Sequence, residues 1–340
     1  MKLLNNEYKI EKIADDLYQI TLEQPFYIQN KLYLILDKYP LLIDTGYIES
    51  FGSLARSLKE INLGFKKIHF ICFTHPHIDH ISGGLLISAV YSKIKMAGHA
   101  NILSDIPDYM KYVNEWKDDT LRLINSAYEE KQSRKRIDDF NENWEDFLKR
   151  LENYETRHRP INKIKLDIPL RDKSVLTTGK YNFEIIETPG HSKHHIVLIE
   201  KKKKWAFSGD MVIGNIPAIY GHWDGNLDLY KSSLQKLAAY DDCTFFPAHG
   251  EIIENPGRKI KLILKTLEML EKKILKKFPK KGINLREAAL LIIPPNAEND
   301  ADLWYIALAL TESILEILIN KGLLNLKTGD NNQKIYKSNH

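Results

Sequence analysis

The chain has 340 residues, of which 43% are hydrophobic and 28% are charged, a composition typical of a globular protein that buries a sizeable core. The formal net charge of +4 neither requires nor excludes an anionic partner. Cys72 and Cys243 both lie in apolar runs, so we expect buried packing residues rather than a disulfide, as suits a reducing compartment. The first residues turn polar at once and no apolar run reaches membrane-spanning length, so we expect a cytoplasmic protein.

The first part of the chain predicts strands followed by a helix and a buried strand. Residues 8–45 alternate between apolar and polar side chains, which is typical of β-strands. Helical spacing follows from Phe51 to Ile61, and the apolar run at 68–73 predicts a buried strand. We expect the next helix to open at residues 81–84 and to run through Tyr91.

A dense polar cluster follows this buried strand. Positions 75–80 hold three histidines and one aspartate in the sequence His-Pro-His-Ile-Asp-His. We expect these residues in the loop at the carboxyl end of the strand, where sites collect in layered α/β proteins. Imidazole nitrogen and carboxylate oxygen both bind cations such as zinc. The spacing therefore predicts His75 and His77 on one metal, with Asp79 and His80 on a second metal beside it.

Four more polar residues end apolar runs elsewhere in the chain. His191, Asp210 and His249 each stand next to a glycine or proline, which lets the chain turn sharply where a strand ends. Asp44 ends an earlier run in the sequence Leu-Leu-Ile-Asp-Thr-Gly. We expect these strand ends to meet the polar cluster and to complete its ligand set.

Taken together, these motifs resemble those of the metallo-β-lactamase superfamily over about residues 7–250. The resemblance implies an α/β fold, the four-layer αββα sandwich of that superfamily, and a site for two metals. The implied ligands of the first metal are His75, His77 and His191, those of the second are Asp79, His80 and His249, and Asp210 bridges the two. The resemblance also implies that Asp44 orients a ligand. His195 would lie behind the ligands in the same way, with simple packing as the alternative.

The segment 101–160 carries no strand pattern. Apolar residues at helical spacing predict one helix around residues 110–116 and a second over 140–151. We therefore expect a helical hairpin inserted between two sheet-forming parts. In the superfamily that the chain resembles, such an insertion lies beside the metals, so we expect a lid over the substrate, with a packing or dimer contact as the alternative. The expected substrate contacts are Tyr109, Tyr112 and Trp116.

Strand patterns resume from Lys163 to Asp210, and an amphipathic helix is predicted from Leu227 to Tyr240. The loop between these segments contains Tyr220 and His222, either of which could donate a proton or bind substrate. Ordinary loop residues are the alternative interpretation. The candidate catalytic residues are Asp79, Asp44, Tyr220 and His222.

The composition changes after Gly250, which predicts three parts: a catalytic domain at 1–255, a linking basic helix at 256–281 and a C-terminal module at 282–340. Three helices followed by a two-stranded hairpin resemble a winged helix, as found on one branch of the superfamily with an endoribonuclease and thioesterase-like and lactonase-like hydrolases. A winged helix can bind nucleic acid, but the expected recognition helix at 312–319 carries two glutamates, which disfavours phosphate contact. We expect a structural or dimer element that also lines the substrate cleft.

These residues predict a dinuclear zinc-dependent hydrolase that uses a hydroxide held between the metals to cleave an ester, thioester or lactone of a small molecule. Iron or manganese are the alternative metals. A metal-dependent endoribonuclease acting on RNA is the second activity left open, and an iron-dependent persulfide dioxygenase is the third. A binding protein without catalysis is disfavoured because no ligand is missing. The expected partners are a small-molecule substrate and a second copy of the chain, with RNA as the alternative and no membrane.

Overall fold

The structure is a computed structural model. It describes residues 7–24, 29–103, 109–128, 164–213, 217–218, 224–299, 301–328 and 334–339, together with four single residues between 136 and 149. For residues 109, 110, 112, 301 and 302 it describes the backbone alone.

Two β-sheets form the centre of the molecule. The seven-stranded sheet follows chain order and contains β1 (Tyr8–Ala14), β2 (Leu17–Leu22), β3 (Asn30–Ile35), β4 (Leu41–Ile43), β5 (Phe70–Cys72), β6 (Lys95–His99) and β7 (Ile168–Leu170). The five-stranded sheet has the order β12-β11-β10-β9-β8 and contains β8 (Val175–Thr177), β9 (Asn182–Glu187), β10 (Ile196–Glu200), β11 (Trp205–Gly209) and β12 (Thr244–Pro247). Strands β4 to β7 run parallel, as do β11 and β12. Parallel strands bring their carboxyl ends to the same edge of a sheet.

Helices flank the sheets and form most of the C-terminal part of the described chain. They are α1 (Phe51–Glu60), α2 (Ile78–Val90), α3 (Tyr109–Ala127), α4 (Leu227–Leu237), α5 (Pro256–Lys277), α6 (Leu285–Leu290) and α7 (Ala301–Asn320). Asparagine caps three of the helix starts, because its side chain accepts a backbone N–H of the first turn. At α6 the capping is reciprocal between Asn284 and Glu287.

The core is layered, which identifies the architecture as a four-layer sandwich. Alternate residues of β3 point to opposite sides: Leu32 and Leu34 pack against α1 and α2, whereas Tyr33 and Ile35 face the second sheet. On the far side of the five-stranded sheet, a third cluster joins that sheet to α4, α5 and the C-terminal helices. The period-two pattern of the sequence therefore produces two sheets with helices on both outer faces.

Helix α2 begins earlier than the sequence predicts. His77 is its extended N-cap residue, so Asp79 and His80 lie in the first helical turn rather than in a loop. The glycines that we expected to open the helix, Gly83 and Gly84, lie inside it. Since they have no side chain, the helix can pack closely against its neighbours. A Cβ on Gly83 would lie 2.5 Å from a backbone oxygen of Thr45, and one on Gly84 would lie 2.7 Å from the ring of Phe73.

Helix α3 lies in the segment where we expected the insertion, and the second predicted helix of that hairpin, over 140–151, falls outside the described residues except for two single positions. Arg122 on α3 donates two hydrogen bonds to Glu312 on α7, both at 2.7 Å. Since α7 lies in the segment 282–340 that we predicted to be a C-terminal module, this ion pair joins the predicted insertion directly to that segment.

The predicted C-terminal module, at 282–340, contains helices and an antiparallel hairpin. The hairpin pairs β13 (Leu324–Thr328) with β14 (Lys334–Ser338), and Tyr336 forms a bridge with Ile283 just before α6. Helix α7 is continuous over Ala301–Asn320, and within it the Thr311 hydroxyl donates to the Ala307 carbonyl oxygen. The identification of this module as a winged helix stays a prediction.

One helix in the described part of the chain, over Leu303–Asn320, is long and apolar enough to cross a membrane by length and composition. We did not expect any run of that length. In the fold, 67% of this stretch is buried, as is usual for the core helix of a packed protein. Both cysteines are free and buried, as predicted.

Candidate metal centre

The predicted ligands lie at one edge of the two sheets. His75 and His77 follow β5, and Asp79 and His80 follow them on α2. The ligands from the second sheet each come shortly after the end of a strand: His191 follows β9, Asp210 follows β11 and His249 follows β12. At the end of β11, Gly209 has a φ of +48°, and a Cβ there would lie 2.7 Å from the His195 ring. The turn to Asp210 therefore requires glycine.

The first group contains three imidazoles and one carboxylate. His191 Nε2 lies 3.2 Å from His75 Nε2 and 3.0 Å from His77 Nδ1. Asp210 Oδ2 lies 3.5 Å from His191 Nε2 and 4.0 Å from His75 Nε2. Four potential ligand atoms thus surround one position, all of them on buried side chains.

The second group contains Asp79, His80 and His249. His249 Nε2 lies 3.1 Å from Asp79 Oδ2, and His80 Nε2 lies 3.6 Å from Asp79 Oδ1. Asp210 also reaches this group, with its Oδ1 3.6 Å from His80 Nε2 and its Oδ2 3.5 Å from His249 Nε2. A single carboxylate therefore contacts ligands of both groups.

Hydrogen bonds on the far side of each ring orient the ligands. His80 Nδ1 bonds Asp44 Oδ2 at 2.9 Å, so Asp44 lies behind His80, the position that the resemblance implies. His249 Nδ1 donates to the carbonyl oxygen of Gln29 at 3.0 Å, and His191 Nδ1 donates to that of Ala218 at 2.6 Å. These bonds select the tautomer in which Nε2 is free to bind a metal.

Two further contacts hold the first group in place. Asp224 Oδ2 lies 3.5 Å from His77 Nε2, and its Oδ1 accepts a hydrogen bond from the backbone N–H of Lys193 at 3.1 Å. The Trp116 ring, on α3, packs edge-on against the His77 ring with 5.8 Å between centroids. His77 is therefore enclosed by an aspartate on one side and by the predicted insertion on another.

His195 also lies behind the ligands. Its Nδ1 bonds the Thr188 hydroxyl at 2.8 Å, and its Nε2 accepts the backbone N–H of Asp210 at 3.2 Å. The ring thus contacts the segment that carries the shared carboxylate.

The histidines of the site are of two kinds: some have a lowered pKa and others have a raised pKa. Burial, together with the neighbouring imidazole of His77, lowers the pKa of His191 to about 4. Burial also opposes protonation of His249, but the carboxylates of Asp210 and Asp79 outweigh it and raise the pKa of His249 to about 9. Although burial opposes it, the pKa of Asp79 falls to about 2 because His80 and His249 stabilise the carboxylate. The second group therefore carries protons that a cation would have to displace.

The donor set fits divalent metal ions. The Thr74 hydroxyl donates to Asp44 and so accepts from His75 Nδ1, which leaves His75 Nε2 without a proton. His191 Nε2 also lacks a proton, since its Nδ1 is the donor to Ala218. Two unprotonated nitrogens 3.2 Å apart in a buried site repel one another unless a cation lies between them. In the second group, His80 Nε2 and Asp210 Oδ1 are buried without a hydrogen-bond partner in the described part of the chain.

Some predicted site residues cannot be placed. Tyr220 and His222 lie outside the described residues, and so do the side chains of Tyr109 and Tyr112.

The sequence analysis missed Thr74 and Asp224, which contact the rings of two ligands, His75 and His77. Thr74 adjoins a ligand and could have been proposed from that position. For Asp224 only its place in a polar loop was a signal, because its contact with His77 joins distant parts of the chain.

Comparisons with known proteins agree with this architecture. The family model of the metallo-β-lactamase superfamily matches residues 28–249. A β-lactamase-like protein 2 homolog from Drosophila melanogaster is 28% identical over 173 residues, which cover 50% of this chain and 56% of that protein. An atrochrysone carboxyl ACP thioesterase from Paecilomyces divaricatus is 31% identical over 91 residues, covering 26% of this chain and 28% of that protein. The chain thus spans about half, or less, of these relatives.

Among solved structures, a metallo-β-lactamase family protein from Thermus thermophilus matches over 96% of this chain and 100% of its own length, with a TM-score of 0.71 and 18% identity. At that identity the match shows the fold alone. The layered sheets and the His/Asp clusters define a mixed α/β protein with a site for divalent metal. With the family model matching most of its length, the chain belongs to the metallo-β-lactamase superfamily.

Proposed function

We propose that the protein is a dinuclear, zinc-dependent hydrolase that cleaves an ester, thioester or lactone of a small molecule in the cytoplasm. The observation that carries this proposal is the position of Asp210, whose carboxylate lies within 3.6 Å of His80, His191 and His249. A carboxylate shared between two ligand groups suits two neighbouring cations, and imidazole with carboxylate suits zinc.

The residues of the site divide the work between binding and orientation. Two divalent cations held here would supply a water of lowered pKa and would stabilise the negative charge that develops on the substrate oxygen. Asp79 is the most exposed of the seven proposed ligands, with 15% of its side chain accessible, so it faces the side from which water and substrate enter. We assign it the role of orienting the attacking water. Asp44, behind His80, positions that ring and does not face the substrate.

Three observations favour a small molecule with a carbonyl centre. Trp116 packs against the His77 ring, so a large apolar side chain lies beside the metal ligands. The helix that would have to enter a nucleic-acid groove, α7, is mostly buried, and its Glu312 is paired with Arg122 inside the protein. One of the relatives described above is named as a thioesterase, which supports thioesters among the substrates to be tested.

Hydrolysis of RNA is the second candidate. The outer face of α5 exposes a row of lysines, which could contact phosphates. The exposed lysines of this helix are Lys261, Lys265, Lys272, Lys273, Lys276 and Lys277.

The decisive experiment is a substrate panel combined with metal analysis. A thioester, a lactone and an RNA oligonucleotide would be tested with the wild type, with Asp79→Ala and with Glu254→Ala as the control, since Glu254 is an exposed carboxylate outside the site. Metal content would be measured on the same samples after loading with zinc.

We expect two zinc ions per chain, turnover of the thioester or lactone, and loss of that turnover by about two orders of magnitude or more in Asp79→Ala alone. Turnover of RNA alone, with a steep dependence of affinity on salt, would replace this proposal with the second candidate. One bound iron per chain with no hydrolysis of any substrate would contradict both.

A further inference from the structure

The residues at the start of β3 contact the second ligand group. Asn30 is 1% exposed, and its Nδ2 donates a hydrogen bond to the backbone carbonyl oxygen of Asp79. The carbonyl oxygen of Gln29 accepts the hydrogen bond from His249 Nδ1 at 3.0 Å. The Lys31 N–H donates to the carbonyl oxygen of the residue before His249 at 2.7 Å. Three consecutive residues therefore contact the segments that carry two of the three ligands in this group.

The helical turn that carries Asp79 and His80 is held by hydrogen bonds from outside α2. The Asp79 carbonyl oxygen accepts from Asn30. The His80 carbonyl oxygen accepts from both the backbone N–H and the hydroxyl of Thr45, at 2.9 Å and 2.8 Å. These bonds act on the peptide units from which the two ligand side chains project, so they fix the points where those side chains begin. Thr45 lies in the Asp-Thr-Gly motif that predicted the site, whereas Asn30 lies outside the motifs.

The burial of the Asn30 amide is not explained by the stability of the fold. Asparagine is mostly exposed in proteins, yet Asn30 Oδ1 is buried and accepts no hydrogen bond in the described part of the chain. The bond to Asp79 fixes the amide with Nδ2 toward that carbonyl, because the reverse orientation would set two oxygens against one another. A buried acceptor without a donor is costly, which offsets the gain from the single bond. An aliphatic residue of similar size would therefore serve the core as well.

The ligands of the first group are supported by other segments. Their rings contact residues 74, 218 and 224, none of which lies on β3. In the second group, Asp79 has 15% of its side chain accessible, and its Oδ2 lies 3.1 Å from His249 Nε2. A carboxylate at an accessible edge can turn toward solvent. A contact that holds its backbone limits the positions that the carboxylate can reach.

We propose that Asn30 is a positioning residue for Asp79. By holding the Asp79 carbonyl oxygen, it keeps the carboxylate directed at the second group, and so supports binding of the second metal without affecting the first. The inference rests on the proposed dinuclear function for the metal, whereas the contact with Asp79 exists in the protein alone. Asparagine is required on this account because an aliphatic residue has no donor for the Asp79 carbonyl.

The test compares Asn30→Leu with the wild type in the full-length protein, since leucine has a similar shape but no donor. Asn30→Ala removes the same donor without adding apolar volume, so it shows whether leucine itself disturbs the packing. Ser57→Ala is the control. Ser57 is buried on α1, a helix that carries no ligand, and it also donates to a backbone carbonyl oxygen, that of Leu54 at 2.8 Å.

Zinc affinity is measured by competition with a chromophoric chelator. His249→Gln removes a ligand of the second group and so identifies the binding step that belongs to this group. We expect both Asn30 variants to weaken this step about tenfold or more and to change the other step by less than about twofold. The urea midpoint of each variant should fall no further than that of Ser57→Ala. Equal weakening of the two steps, or a lower urea midpoint with both steps unchanged, would overturn the proposal.

Hydrogen exchange of the metal-free, full-length protein separates this inference from the proposed function. The amides compared are those near the start of α2, at residues 80–84. They should exchange about fivefold or more faster in both Asn30 variants, and at the wild-type rate in Ser57→Ala. If the wild type binds a single zinc or cleaves no substrate while this exchange still rises, the positioning role stands and the dinuclear hydrolase proposal fails. If the exchange and both zinc affinities are unchanged while a thioester or lactone is cleaved, the hydrolase proposal stands and the positioning role fails.

Discussion

Replacing Asp224 with asparagine should weaken one metal site and spare the other. The side chains of Asp224 and His77 are each 3% exposed, and Asp224 Oδ2 lies 3.5 Å from His77 Nε2. His77 faces the first group through Nδ1, so the carboxylate lies on the opposite side of the ring, where it orients the ligand and increases its basicity. Asparagine keeps the shape but removes the charge. Loss of such a partner costs about 10- to 100-fold in metal affinity, or about 1.4–2.8 kcal/mol.

The assay is competition for zinc between the protein and a chromophoric chelator, which resolves the two binding steps. Only the step assigned to the group that contains His77 should weaken. Glu187→Gln is the matched control, because Glu187 pairs with a histidine outside the metal centre, His99, at 3.0 Å. If Asp224→Asn changed the affinity by less than twofold, or weakened both steps equally, the carboxylate would not support His77 as we argue.

Three further predictions concern stability. Arg122→Met leaves Glu312, whose side chain is only 2% exposed, without its main partner. We expect the free energy of unfolding, measured with urea, to fall by about 2–3 kcal/mol. This is less than the usual cost of breaking a buried ion pair, because the Arg122 side chain is 39% exposed. Gly83→Ala should cost about 1–3 kcal/mol, since its Cβ would meet a backbone oxygen at 2.5 Å, whereas Gly64→Ala, with open space around it, should be nearly neutral. In the metal-free protein, the raised pKa of His249 contributes stability that is fully present below pH 6.5, the ordinary pKa of histidine. This contribution is lost as the pH rises through about 9. Urea unfolding at pH 6.5 and 9.5 should show the loss in the wild type and a smaller one in His249→Gln.

Local sequence signals were enough to place the ligands at strand ends. Apolar runs before Asp210 and His249 predicted strands, and glycine or proline beside each residue predicted the turn. The reciprocal cap between Asn284 and Glu287 is likewise local, because both partners lie within one helical turn. Such signals depend only on residues close in the chain.

What the sequence could not show depends on contacts between distant segments. The start of α2 was placed too late because Gly83 suggested a helix opening, whereas in the structure it permits close contact with Thr45. The support of His77 by Asp224 and the ion pair of Arg122 with Glu312 each join parts of the chain that only the folded protein brings together. Neither pair has a spacing that could reveal it.

The position of the site between the two sheets explains how its ligands meet. Strand β3 of the first sheet bonds the segment that precedes His249: the Tyr33 hydroxyl donates to the Pro247 carbonyl oxygen at 2.7 Å and the Lys31 N–H to that of Ala248 at 2.7 Å. On the other side of the site, the N–H at the start of β10 donates to the carbonyl oxygen of Thr74 at 2.8 Å. These bonds join the sheets beside both ligand groups and require no cation. We therefore expect the metal-free protein to keep its fold, so that the pH dependence of its stability can be measured.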